Sequence, residues 1–397
     1  MSVAFWTAAS EARHRFGRAD RLPKAVSPLG SAMQSKIVAT CDIFGLHFGM
    51  FASAFTPRLR SITGLIGTRP AMLILNAFLG LTAQAPVGLA ADAPLTPSTL
   101  VKFADAGEAA MELGRKDAFV DSLSPFDRAA RKKTDQPVSQ EEFLQFVSQQ
   151  ALGWQGPEIG RLTRVLGRIS NKIERLQLPL PSVIRLLKTT GKEEGGAAYC
   201  RGNNILISAK HAAAPDPVLE RLLTHELFHI LSRNNRKLRD SLYSIVGFRF
   251  CGEVAYPKEL AARKLTNPDA PVIEHFITVT AQGKPTPVVP ILFSKEDNYD
   301  LRKGGEFFAY LTFNLLVVEQ RGEAWFPAYQ ESGPRLLDAD EAEGFREQIG
   351  RNTEYVIHPE EILADNFVLL VQNARDVKTP RILEEMRRIL TTVRPVE

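Results

Sequence analysis

The stretch Asp216-Pro217-Val218-Leu219-Glu220-Arg221-Leu222-Leu223-Thr224-His225-Glu226-Leu227-Phe228-His229-Ile230-Leu231 decides the fold of this 397-residue chain. Asp216 suits a helix cap, Pro217 suits the first helical position, and Ser232-Arg233-Asn234-Asn235 supplies a polar stop. Val218, Leu219, Leu222, Leu223 and Leu231 make the helix strongly apolar, which predicts burial. Histidines four apart on a helix share one face, so the rings of His225 and His229 can reach a single ion. Glu226 projects beside them. In this H-E-x-x-H spacing the imidazoles are expected to hold a divalent ion, with Glu226 as general base toward a water.

Two imidazoles leave such a site short of a protein donor. His211, His275 and His358 are candidates, but a better one lies in Tyr355-Val356-Ile357-His358-Pro359-Glu360-Glu361-Ile362-Leu363-Ala364-Asp365-Asn366. Pro359 again marks a helix start, and the apolar residues that follow predict a buried helix. Glu361 and Asp365 lie one turn apart on one face. Glu361 is therefore expected to bind the ion, and Asp365 to accept the outer ring N–H of a ligand histidine. An acidic first turn also suits the positive end of the helix dipole, which accounts for Glu360 and Glu361 but not for Asp365.

Together, His225-Glu226-x-x-His229 and Glu361-Ile362-Leu363-Ala364-Asp365-Asn366 resemble the two motifs of the gluzincin metallopeptidases, the family of thermolysin and neprilysin. The second motif is especially similar to neprilysin's. The resemblance implies zinc held by His225, His229 and Glu361, Glu226 as the base, Asp365 as the residue that orients a ligand, and peptide or protein as substrate. It also implies a zincin-like α+β catalytic domain with a small sheet packed on the His225 helix. The chain departs from thermolysin in spacing, because about 130 residues separate His229 from Glu361. Peptide hydrolysis further requires an oxyanion stabiliser. His358 and Tyr355 are the nearest candidates for that catalytic role, with Tyr310 more distant.

Composition agrees with an ordinary globular protein, at 44% hydrophobic and 24% charged residues. The formal charge of +4 is unevenly spread: residues 1–70 carry nine Lys/Arg against three Asp/Glu, leaving 40 against 42 in the rest. A near-neutral body argues against nucleic-acid binding.

Residues 1–90 read as a presequence. The apolar run 71–83 has signal-peptide length, follows Arg58, Arg60 and Arg69, and precedes the small residues Gly88-Leu89-Ala90. The signal peptide is placed at about 50–90, with Met50 as an alternative start, and export to the periplasm or medium is expected. Membrane attachment is expected only if that segment remains as an uncleaved anchor. Cys200 and Cys251 form a pair that permits one disulfide or two separate thiols.

Residues 91–98 read as a tether and 91–180 as a helical region, with a capping box at Ser139-Gln140-Glu141-Glu142 and an apolar stripe at Ile159, Leu162, Val165, Leu166, Ile169 and Ile173. From Ser182 the pattern turns to strands. Val183–Leu187 reads as one, and Ala197–Ser208 as a hairpin through Gly202-Asn203-Asn204 whose last strand is a candidate edge for an extended peptide. The catalytic domain is placed at 181–397, interrupted by a β-rich insertion at about 252–350. An exported, non-enzymatic protein that keeps a structural zinc for partner binding is the alternative, and an N-terminal region that blocks the cleft is a third.

Overall fold

A mixed sheet and a buried helix pair form the centre of the molecule, and the computed structural model describes residues 92–392. The sheet contains β1 (Ala93–Thr96), β2 (Thr99–Phe103), β3 (Ala151–Leu152), β4 (Val183–Thr189), β5 (Tyr199–Arg201) and β6 (Asn204–Ser208). Its order is β1-β2-β4-β6-β5, with β3 paired to the end of β4. Strands β2, β4 and β6 run parallel, while β1 and β5 are antiparallel edges. The fold is thus mixed α/β, as expected of the α+β class.

Between β2 and β4 come α1 (Ala106–Leu113), α2 (Ala118–Ser122), α3 (Pro125–Lys132), α4 (Gln140–Ser148) and α5 (Gly156–Ile173). Ser139 and Glu142 cap α4 reciprocally, as their spacing predicts. The stripe on α5 buries Leu162, Val165, Leu166, Ile169 and Ile173 in the main core with Ile184 and Leu186 of β4. After β6 come α6 (Ala209–Ala212), α7 (Asp216–Asn234) and α8 (Arg236–Ile245). The run Thr224–Ser232 of α7 is buried on every side, so this helix is central. Asp216 is its first residue and does not cap it: Arg161 and Arg168 hold its carboxylate at 2.7 and 3.1 Å.

A second sheet follows, made of β7 (Phe248–Phe250), β8 (His275–Ala281), β9 (Lys284–Ser294), β10 (Leu311–Arg321) and β11 (Ala324–Pro327). A four-residue helix, α9 (Lys258–Ala261), precedes β8; the short β12 (Tyr329–Gln330), β13 (Gly333–Pro334) and β14 (Leu336–Leu337) follow β11. The long strands meander antiparallel in the order β11-β10-β9-β8-β7, and β14 pairs with β10. Side chains alternate across this sheet. Val288, Leu315 and Val317 join the main core, while Val289, Ile291, Phe293, Leu316 and Val318 form their own cluster with Val254 and Leu260. The expected insertion is therefore a sheet that begins near Phe248 and shares the core. The chain closes with α10 (Phe345–Ile349), α11 (Pro359–Val371) and α12 (Pro380–Thr392). Helix α11 lies along α7, with the Phe228 and Phe367 rings 5.8 Å apart.

Several expectations need correcting. The segment read as a tether is strand β1, and Thr99–Phe103, read as helical, is strand β2. Thr99, Val101 and Phe103 point into the protein while Leu100 and Lys102 face out, a period of two. Because β2 pairs with β4, residue 180 is no structural boundary. Cys200 and Cys251 are separate free thiols, one of the two arrangements left open by the sequence. The presequence assignment lies outside the described residues. Among the described residues, no helix is long and apolar enough to cross a membrane.

Candidate metal centre

Helices α7 and α11 bring five of the predicted site residues together. His225 Nε2 lies 3.2 Å from Glu361 Oε2, and His229 Nε2 lies 3.8 Å from the same oxygen. One ligand atom from each of the three residues lies within 4.8 Å of the other two. Ligand bonds of about 2.1 Å in a tetrahedron place donors roughly 3.4 Å apart, between the two measured separations.

The outer ring nitrogens are also occupied. Asp365 Oδ1 stands 3.3 Å from His225 Nδ1, and Glu360 Oε1 stands 2.8 Å from His229 Nδ1. A ring nitrogen facing a carboxylate carries a proton, so an ion held by these rings would take Nε2, the nitrogen that faces Glu361. Without an ion both rings are held protonated against Glu361, and a cation that displaced those protons would meet three ligand atoms facing one space. Charge is strongly shared across this cluster. Burial disfavours charge on His225, yet Asp365 and Glu361 lift its pKa to about 9. Burial likewise opposes ionisation of Glu361, yet the charges of His229 and His225 hold it at about 2. The donor set of two imidazoles and one carboxylate, each backed by a further carboxylate or amide, fits zinc.

Each supporting residue has its own anchor. Asp365 accepts the Thr353 hydroxyl and lies 3.5 Å from Arg221. Glu360 accepts the hydroxyls of Ser232 and Tyr243. Asn267 Nδ2 donates to Glu361 Oε1 at 2.7 Å.

Glu226 does not join the ligand set. Its Oε2 accepts the Cys200 thiol at 3.3 Å, and burial, followed by the charge of Asp269, raises its pKa to about 7. The two histidines and both glutamates, 226 and 361, border a cavity of about 530 Å³. Val218, Leu222, Phe308 and Leu311 give it an apolar side, and Arg221 and Tyr355 a polar one. Tyr199, of the edge strand β5, also faces it. No residue of the described stretch 92–180 borders the cavity, so this part of the chain does not plug it.

His358 does not border the cavity. Its Nδ1 caps α11, accepting the Glu360 N–H at 3.1 Å, and burial drives its pKa down to about 4. A neutral ring committed to a backbone N–H cannot also stabilise an oxyanion in the cavity. Tyr310 is engaged elsewhere, with its hydroxyl donating to backbone oxygens of Asp300 and Gly304. Of the three predicted stabilisers only Tyr355 borders the cavity. His211 borders it as well, whereas His275 pairs with Asp240 at 2.8 Å.

Sequence reasoning missed Glu360, Asn267, Cys200 and Asp269. Glu360 carried a signal, since a second acidic residue in a helix otherwise apolar enough to be buried needs an internal partner. The other three stand in strands and loops with no periodicity to mark them. Comparison with protein-family models, curated proteins and solved structures found no match.

Proposed function

We propose that this chain is a zinc-dependent peptidase of the gluzincin kind, with its mixed sheet and α7 forming a zincin-like catalytic domain. The observation that carries the proposal is the convergence of three ligand atoms, His225 Nε2, His229 Nε2 and Glu361 Oε2, beside Glu226 in the wall of one cavity. Zinc at these donors supplies Lewis acidity and lowers the pKa of water beside it. Glu226 accepts the proton of that water and returns it to the leaving nitrogen, and a pKa near 7 suits both transfers at neutral pH. Tyr355 is the residue proposed to face the developing oxyanion. The strand expected to be an open edge, β6, lies inside the sheet between β4 and β5, and the Cys200 N–H of edge strand β5 is already taken by Asp269. Export remains part of the proposal, resting on the apolar run 71–83.

The test measures bound zinc and cleavage of an unfolded protein for wild type, Glu226→Gln and Glu361→Ala. Wild type and Glu226→Gln are expected to hold stoichiometric zinc, and Glu361→Ala to lose it. Glu226→Gln should cleave roughly 10²–10⁴-fold more slowly than wild type. Undiminished cleavage by Glu226→Gln overturns the mechanism. Stoichiometric zinc in a wild type that cleaves nothing favours the non-enzymatic alternative.

A further inference from the structure

The wall that carries Glu226 gathers a second set of donors from three separate elements. Cys200 Sγ, in β5, lies 3.3 Å from Glu226 Oε2, in α7. Asp269, in the loop before β8, completes the set, with one ligand atom from each residue within 4.8 Å of the other two. The loop is fixed in place: Asp269 Oδ1 accepts the Cys200 backbone N–H at 2.8 Å, and its own N–H donates to Asn267 Oδ1 at 3.0 Å.

The set has fewer donors than its two carboxylates can accept. Glu226 is 2% exposed and the Asp269 side chain 7%, and both border the cavity. Among the described residues no hydrogen bond reaches Glu226 Oε1 or Asp269 Oδ2. The only ion-pair partner of Asp269 there is Arg233, at 3.8 Å. Both residues line the cavity, from which a cation or water can reach these oxygens.

We propose that Cys200, Glu226 and Asp269 form a second cation site, selective for thiophilic divalent ions such as Zn²⁺ and Cd²⁺, whose occupation stops hydrolysis by withdrawing Glu226. Sulfur beside two carboxylates favours these ions over Mg²⁺ and Ca²⁺, which prefer oxygen alone. As an ion binds, the Cys200 thiol proton leaves to solvent and the sulfur lone pair enters the ion's shell. Glu226 then gives its own lone pair to the ion and can no longer take a proton from water. The site would make the enzyme self-limiting when zinc exceeds what the histidine site needs. The inhibitory consequence rests on the peptidase reading; the binding itself does not.

The test titrates Co²⁺ into the metal-free full-length protein and into Cys200→Ser and Asp269→Asn, following the thiolate-to-cobalt charge-transfer band. Wild type should develop that band with the second equivalent, and Cys200→Ser should lack it at every concentration. Excess Zn²⁺ should inhibit peptide hydrolysis by wild type. Both variants, each normalised to its own activity with one ion, should need at least about tenfold more Zn²⁺ for the same inhibition. Absence of the band in wild type, or the same inhibition midpoint in wild type and Cys200→Ser, overturns the proposal. A wild type that shows the band yet never hydrolyses peptide keeps the second site and refutes the peptidase reading instead.

Discussion

His229 Nδ1 and Glu360 Oε1 stand 2.8 Å apart where α7 meets α11, and the same carboxylate takes the hydroxyls of Ser232 and Tyr243. Burial works against its charge, but the His229 and hydroxyl hydrogen bonds hold Glu360 below the usual carboxylate range. Each of the two histidines therefore faces a carboxylate of its own, since Asp365 stands beside His225.

Glu360→Gln keeps the shape and removes the charge behind His229. Outer partners of this kind are worth about 10–100-fold in metal affinity. Competition with a chromogenic chelator should show zinc affinity falling by that factor, with secondary structure unchanged by circular dichroism. Equal affinities for wild type and variant would show that Glu360 merely fills space.

Removing the metal should destabilise the fold. An ion that binds only the native state adds about 2.7 kcal/mol when free ligand is 100 times Kd. Chelation should therefore lower the melting temperature of wild type, and the shift should vanish in Glu361→Ala. An unchanged wild-type melt would mean that the convergent ligand atoms hold no ion.

The cap formed by His358 gives a pH signature. Burial depresses its pKa in the native state, to about 4 from an ordinary 6.5. A group with a lowered native pKa contributes stability that is complete above its unfolded pKa and lost as pH falls toward the native one. The loss should run from about pH 6.5 down to 4, where protonated Nδ1 can no longer accept the Glu360 N–H. His358→Asn supplies a cap that does not titrate there. Denaturant midpoints compared between pH 7 and pH 5 should fall less in this variant than in wild type, and an equal fall would remove His358 as the cause.

A buried guanidinium braces the cavity wall from behind. Arg131 of α3 donates to Asp127 and to both oxygens of Glu194, and reaches the Thr266 carbonyl at 3.0 Å. Thr266 precedes Asn267, which holds Glu361. Arg131→Met leaves two buried carboxylates without their cation and should cost about 3–5 kcal/mol of unfolding free energy. A loss below about 1 kcal/mol, the range of exposed ion pairs, would contradict this role.

The helical half of the site was legible because helix periodicity ties chemistry to spacing. His225 and His229, like Glu361 and Asp365, stand one turn apart, and Pro217 and Pro359 mark the starts of their helices. No such rule ties Cys200, Asn267 or Asp269 to the site, since strand pairing and loop packing between distant segments bring them in. The N-terminal strands went unread for a local reason. Pro94 and Pro97 look like linker residues, yet an edge strand tolerates a residue that cannot donate to a neighbour, and Pro94 sits in such a strand. His358 was misplaced because its type suggested chemistry while its position, one residue before Pro359, is that of a cap.

The pairing of β2 with β4 has a practical consequence for anyone who would divide this chain. A fragment beginning at residue 181 would carry every proposed ligand and still lack three strands of its sheet and the α5 face that covers it. Strand β4 would present a bare, apolar edge, a template for clumping during expression.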